Sequence, residues 1–160
     1  MPDQPDRPIK DHPDVRVPPP LLYFSVLGIG LLLQQAAPLP VIPPSAGHPL
    51  AIACAAGFAL LVIWGVTSFR RARTSLVPVR PATALITDGP FRFTRNPLYL
   101  GLALLYLGIA LWLGVFWPVV LLPALILLVQ QIVILREEAY LESRFGEAYR
   151  AYRARVRRWL

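Results

Sequence analysis

Residues 96–135 read NPLYLGLALLYLGIALWLGVFWPVVLLPALILLVQQIVIL, without a single Asp, Glu, Lys or Arg. A soluble helix needs charged residues on its wet face every turn or so, and this stretch has none to offer. It is too long for one membrane span, which takes about 20 apolar residues (range ~17–25), and it suits two spans joined by a tight turn. Pro97 is placed to open the first, because proline is tolerated in an opening helical turn. Residues 98–113 then cross, Gly114 to Trp117 turn the chain, and residues 118–135 return, with a kink expected at Pro123. Trp112, Phe116 and Trp117 fall at the turn, where aromatic side chains favour the bilayer interface.

A second charge-free stretch, Val17 to Phe69, lies upstream. It reads as one span over residues 21–37 and a second over 49–69. Pro38, Pro40, Pro43 and Pro44 separate the two, since proline lacks the backbone donor and clashes with the preceding turn. The second ends at Arg70, Arg71 and Arg73. The hydrophobic content of 56% and the two charge-free runs together exclude a soluble domain of 160 residues. The fold expected is an all-α integral membrane protein with about four transmembrane helices, forming one domain over residues 21–160.

The net charge of +7 does not mark a nucleic-acid surface, because the arginines stand beside apolar segments as the positive-inside rule places them. Arg70, Arg71, Arg73, Arg80, Arg92 and Arg95 lie between the second and third spans. Arg144, Arg150, Arg153, Arg155, Arg157 and Arg158 follow the fourth, and the other two connections have no Lys or Arg. Both termini are therefore expected in the cytoplasm, as in an inner-membrane protein of a bacterium. Residues 1–20 mix Asp3, Asp6, Asp11 and Asp14 with Arg7, Lys10, Arg16 and many prolines. This is unlike a signal peptide and reads as a disordered cytoplasmic arm. Cys54 reads as a small apolar residue. His12 and His48 have no ligand-like neighbours, so no metal site is expected.

Beyond Arg136 the pattern changes. Leu141, Phe145, Ala148, Tyr149, Tyr152, Val156 and Trp159 recur every three or four residues between Arg and Glu, the signature of an amphipathic helix over 136–159. Its basic face suits anionic membrane lipids, its apolar face suits packing against the domain, and Gly146 is a point of interruption.

The link from Arg70 to Arg95 is long for a bare connector and rich in turn formers, including Pro78, Pro81, Asp88-Gly89-Pro90 and Asn96-Pro97. Long ordered loops are usually functional. This one ends in Gly89-Pro90-Phe91-Arg92-Phe93-Thr94-Arg95-Asn96-Pro97-Leu98-Tyr99-Leu100-Gly101. A second block, Glu137-Glu138-Ala139-Tyr140-Leu141 followed by Phe145-Gly146, Tyr149 and Tyr152, comes after the apolar hairpin. Together the blocks resemble the Gly-Pro-aromatic-Arg-x-x-Arg-His/Asn-Pro-x-Tyr-x-Gly and Glu-Glu-x-x-Leu-x-x-x-Phe-Gly-x-x-Tyr-x-x-Tyr signatures of the isoprenylcysteine carboxyl methyltransferase and phospholipid methyltransferase superfamily. The resemblance covers Thr83 to Val156.

That resemblance implies a membrane enzyme that uses S-adenosyl-L-methionine, bound in a cytoplasmic-side pocket closed by the loop and the C-terminal segment. A lipophilic acceptor would enter laterally from the bilayer. Carried over, the cofactor contacts fall on Thr83, Ala84, Leu85, Ile86, Phe91, Asn96, Pro97, Leu98, Tyr99 and Glu137, with Arg95 and Glu138 as catalytic candidates. The residue types fit the task. A guanidinium such as Arg95 suits the cofactor's carboxylate. A carboxylate such as Glu137 or Glu138 suits its amine or ribose, and the rings of Phe91 and Tyr99 suit its adenine or sulfonium. Each also has an ordinary reading: Arg95 as an interfacial arginine, the glutamates as a solvated helix start, and Tyr149 and Tyr152 as packing residues.

Two positions depart from the family pattern. Val133 stands where the eukaryotic carboxyl methyltransferases carry a substrate-binding Arg, and Asn96 replaces their His. An opening for the acceptor is expected near Tyr99 and Val133. The competing functions are a nicotinamide-dependent membrane reductase of related architecture and a non-catalytic membrane adaptor.

Overall fold

The computed structural model describes residues 17–73 and 82–160. Most of the expected N-terminal arm, together with Pro78, Arg80 and Pro81, lies outside the described residues. Helix α1 (Pro19–Ala36) opens two residues earlier than the sequence suggests, with Pro19 and Pro20 in its first turn, and ends before the proline cluster. Helix α2 (Pro44–Arg71) begins at Pro44 rather than near Pro49. Pro44 occupies the N1 position, which needs no donor. Pro49 falls inside the helix, where it removes only one backbone bond. Helix α3 (Pro97–Trp112) starts at the proline expected to open it.

The fourth apolar segment departs most from expectation. Helix α4 (Trp117–Val129) runs through a π-helical turn, Gln130–Ile134, into α5 (Leu135–Phe145). Arg136, Glu137 and Glu138 mark the end of the apolar run but are good helix formers, so they do not end the helix. The break comes at Gly146, whose φ of +52° favours glycine. Helix α6 (Glu147–Arg155) follows, and Val156 is already extended. The single amphipathic helix expected over 136–159, with Gly146 as its point of interruption, is therefore two helices broken at Gly146 and a short non-helical tail.

Among the described residues, three stretches are long and apolar enough to span a bilayer: α1, α2, and the continuous Trp117–Phe145. Helix α3 is apolar but shorter, with 16 residues, or about 24 Å at 1.5 Å per residue. The chain is built as an all-α integral membrane protein. Its surface agrees: Leu32, Ile52, Leu60, Ile63 and Leu127 are all exposed, as lipid-facing side chains should be.

The two hairpin connections meet at one end. Ile42 N–H donates to the Gly114 carbonyl, and the Trp117 indole donates to the Ala37 carbonyl at 2.6 Å. From this end α2 lies close along α3. A Cβ on Gly47 would come within 2.5 Å of the Leu111 carbonyl oxygen, and one on Gly65 within 2.9 Å of Leu98 Cδ2. Small residues let apolar helices approach in this way. Gly47 lies beside Leu111 and Gly65 beside Leu98, so α2 runs on to Arg71 beyond the point where α3 begins at Pro97. The recess above Pro97 is bounded by the 3₁₀ turn Gly89–Arg92 and by the C-terminal tail.

Two apolar clusters divide the molecule. One, among the spans, holds Tyr23, Leu27, Tyr106, Leu125, Val129 and Val133. The other, at the recessed end, holds Ile86, Phe91, Tyr149 and Tyr152, with Phe69, Leu141 and Phe145 against them. The C-terminal periodicity thus serves packing on the domain. Trp159 leaves that pattern and packs on the cluster among the spans, its indole N–H bound to Gln130 Oε1 at 2.9 Å.

Candidate active site

Both signature blocks converge on the recess above α3. The Gly89–Arg92 turn brings the first block there. Gly89 has φ +57°, and a Cβ on it would collide with the Ser68 hydroxyl of α2. Glycine at this position therefore meets a positive φ and a close helix approach together. The second block arrives on α5. Consecutive residues on a helix point about 100° apart, so Glu137 and Glu138 face different partners.

Glu137 faces α3. Tyr99 Oη donates to Glu137 Oε1 at 2.6 Å, a short hydrogen bond. The backbone carbonyl of Tyr99 accepts in turn from the Tyr23 hydroxyl at 3.1 Å, which ties α1 to the same place.

Glu138 faces the loop and the tail. Arg95 Nη1 lies 3.1 Å from Glu138 Oε1, and both side chains are only 9% exposed. Arg158 from the tail grips the same carboxylate with both prongs, Nε to Oε1 at 2.9 Å and Nη2 to Oε2 at 2.8 Å. Arg95 Nη1 also donates to Tyr149 Oη at 3.3 Å. Burial first, and the charge of Glu138 second, push the Tyr149 phenol above its usual range, so it remains a neutral hydroxyl. The hydrogen bond to Glu138 raises Arg158 above the ordinary guanidinium range. The main chain reinforces the arrangement. The Arg158 carbonyl accepts from Thr94 Oγ1 at 3.1 Å and Asn96 Nδ2 at 2.9 Å, and the Arg157 carbonyl accepts from Arg95 N–H at 3.0 Å.

One atom in this network is unsatisfied. Arg95 Nε is buried and has no hydrogen-bond partner. An unmet buried donor costs about 1–3 kcal/mol, and more when the group is charged. The arginine is therefore set to receive a further acceptor on its Nε side.

The remaining candidates are placed less openly. Phe91 packs edge-on against Phe69 with centroids 5.6 Å apart, and its carbonyl accepts from Tyr152 Oη at 2.8 Å. Ile86 is buried in the same cluster and Leu85 lies against it. Ala84 is half-buried, and Thr83 is exposed with its hydroxyl on the Arg73 carbonyl at 3.3 Å. Asn96 and Pro97 are buried under the tail, and Leu98 sits against α2 rather than in the recess. Val133 is fully buried in the π-helical turn, in the cluster that also holds Tyr23 and Leu27. No opening exists at Val133 in this conformation. The bundle instead presents a small apolar groove between α1 and α3, lined by Tyr23, Phe24, Leu27, Leu102, Leu105 and Ile109.

Sequence reasoning passed over Arg158, Gln130 and the bonding roles of Tyr149 and Tyr152. Gln130 carried a signal, as a lone amide pair in an apolar run. Arg158 carried none, because it stands among other tail arginines.

Residues 47–148 match the phospholipid methyltransferase family. The chain belongs to that family. A 65-residue stretch is 49% identical to an uncharacterized protein of Haemophilus influenzae, covering 39% of this chain and 100% of the relative. A 72-residue stretch is 38% identical to the protein-S-isoprenylcysteine O-methyltransferase of Schizosaccharomyces pombe. That match covers 45% of this chain but only 30% of the yeast enzyme. No solved structure matches the chain. The family is one of membrane methyltransferases that use S-adenosylmethionine, and membership leaves the acceptor open.

Proposed function

We propose that this protein binds S-adenosylmethionine in the recess above α3 and methylates an acceptor that carries an apolar tail. The observation that carries the reading is the buried Arg95 guanidinium. It is paired to Glu138 through Nη1 and has an unmet donor at Nε, within the two blocks that define the family. A carboxylate is the acceptor that best suits that donor. Arg95 would hold the cofactor's carboxylate, and Glu137, with Tyr99 fixing it, would receive its amine or ribose hydroxyls. Residues 83–86 and the motif residues Phe91, Asn96, Pro97 and Leu98 would frame the same pocket from the loop and from the start of α3. Glu138 would act through Arg95.

The cofactor, when bound, supplies a methyl group activated on a positively charged sulfur. The chain's own contribution is then alignment and dryness. Arg95 and Glu137 fix the donor's orientation, and the tail and the Gly89–Arg92 turn keep water out. For a carboxylate or thiolate acceptor no residue has to move a proton.

The acceptor's tail would lie in the groove between α1 and α3. Tyr23 lines that groove, and its hydroxyl is bound to the carbonyl of Tyr99, the residue that bonds Glu137. Each buried methylene is worth about 0.8 kcal/mol. The topology expected from the arginines puts the recess on the cytoplasmic side, where the cofactor is available.

The test is methyl transfer from methyl-labelled S-adenosylmethionine to a series of alkyl carboxylates, amines and thiols of increasing chain length. KM should fall as the chain lengthens, until the chain outgrows the groove. Equal methylation of tailless, water-soluble acceptors would overturn the lipophilic-acceptor reading. Failure to transfer methyl to any member, with NADPH bound instead, would favour a reductase.

A further inference from the structure

An isolated arginine and carboxylate tend to join by two parallel hydrogen bonds, using the Nε edge or the paired Nη groups of the guanidinium. Arg95 and Glu138 do not. Arg95 Nη1 lies 3.1 Å from Oε1, while Arg158 takes both carboxylate oxygens with its own fork. Arg95 is thereby denied a second carboxylate oxygen, and its Nε stays without a partner. We propose that Arg158 is a positioning residue, which occupies Glu138 so that Arg95 keeps its Nε side open for the carboxylate of the bound cofactor. The inference rests on the proposed function, in which that carboxylate belongs to S-adenosylmethionine.

Arg158 is suited to this role because its side chain and main chain do separate things. Its carbonyl holds the tail on Thr94 and Asn96, and the neighbouring Arg157 carbonyl holds Arg95 N–H. Trp159 anchors the tail again on Gln130. Removing the Arg158 side chain leaves all these bonds in place, so the tail stays docked. What changes is the competition for Glu138. Without the second guanidinium, Arg95 can swing into a two-point pair with Glu138 and spend the donor that the cofactor would use.

The experiment compares binding of S-adenosylmethionine with binding of its decarboxylated analogue, to the full-length protein in detergent. Wild type should prefer the carboxylate-bearing ligand by at least about ten-fold, the worth of one charged hydrogen bond. Arg158→Ala should lose most of that preference while still binding the decarboxylated analogue about as well as wild type. Adding Glu138→Gln to Arg158→Ala frees Arg95 from its competing carboxylate and should restore part of the preference. Arg158→Lys keeps a charge but cannot fork across both oxygens, and should fall between wild type and Arg158→Ala even if the alanine variant folds poorly. A purely structural tail predicts something different, an equal loss for both ligands, and that result would overturn the inference. So would an unchanged preference in Arg158→Ala and Arg158→Lys, or a wild type with no preference at all. A wild type that binds neither ligand would overturn the proposed function itself and this inference with it.

Discussion

Replacing Glu138 with alanine should destabilise the protein far more than removal of any other glutamate at this end. The carboxylate meets two guanidinium groups, but they do not contribute equally. Arg158 is 30% exposed on its side chain and can turn to water when its partner is lost, so its share is about 0–1 kcal/mol, as for other solvated pairs. Arg95 is 9% exposed and cannot. It would remain buried with only the Tyr149 hydroxyl as an acceptor. Breaking a buried pair from one side costs about 3–5 kcal/mol. The tyrosine contact puts the expected loss near the lower limit, about 3 kcal/mol. For a chain of this length each kcal/mol moves the midpoint by about 2–4 °C, so Tm should fall by about 6–12 °C. Thermal unfolding in detergent, followed by intrinsic tryptophan fluorescence, would measure it. A paired change, Arg95→Met with Glu138→Leu, removes both charges and should recover most of the stability while abolishing cofactor binding. If Glu138→Ala melts within about 2 °C of wild type, the buried clasp is not a real feature of the folded protein.

Further outcomes follow from the same geometry. Glu137→Ala should weaken S-adenosylmethionine binding by about 1.5–3 kcal/mol, read by equilibrium binding, whereas Glu142→Ala, whose partners Arg150 and Arg153 are solvated, should leave it unchanged. Gly89→Ala places a methyl against the Ser68 hydroxyl at a φ of +57°, and should cost about 1–3 kcal/mol of stability in a melting experiment, partly relieved by Ser68→Ala. A cysteine placed at exposed Pro44 should react with an impermeant thiol reagent from outside intact cells; labelling only after the inner face is exposed would reverse the topology.

The spans were legible because the bilayer imposes a simple rule. Charge is excluded from residues 17–69 and 96–135, and every apolar helix falls inside those limits or just beyond them. What the rule cannot show is where a helix ends. Arg136, Glu137 and Glu138 mark the bilayer boundary, yet the helix continues to Phe145 because nothing in those side chains breaks it. Gly146 was legible as a break, since its backbone conformation is one that glycine favours. The motif blocks name residues that the structure brings together as two pairs, Tyr99 with Glu137 and Arg95 with Glu138. The assignment of partners was beyond the sequence. Glu137 and Glu138 are adjacent and chemically identical, and only their directions on α5 send one to Tyr99 and the other to two arginines. Arg158 reaches Glu138 from 20 residues away across the Gly146 break, a relation that no local periodicity encodes. The opening expected near Val133 is not lined by that residue, which is buried in the cluster that also holds Tyr23 and Leu27 of α1, a helix that carries no part of either motif.

The central claim is that the recess above α3 is a site for S-adenosylmethionine. Its most direct test is equilibrium binding of radiolabelled S-adenosylmethionine to the purified protein, with NADPH measured beside it. The account predicts saturable binding of S-adenosylmethionine, displacement by S-adenosylhomocysteine, loss in Arg95→Met, and no saturable binding of NADPH. Saturable NADPH binding without S-adenosylmethionine binding, or S-adenosylmethionine binding that Arg95→Met leaves intact, would contradict it.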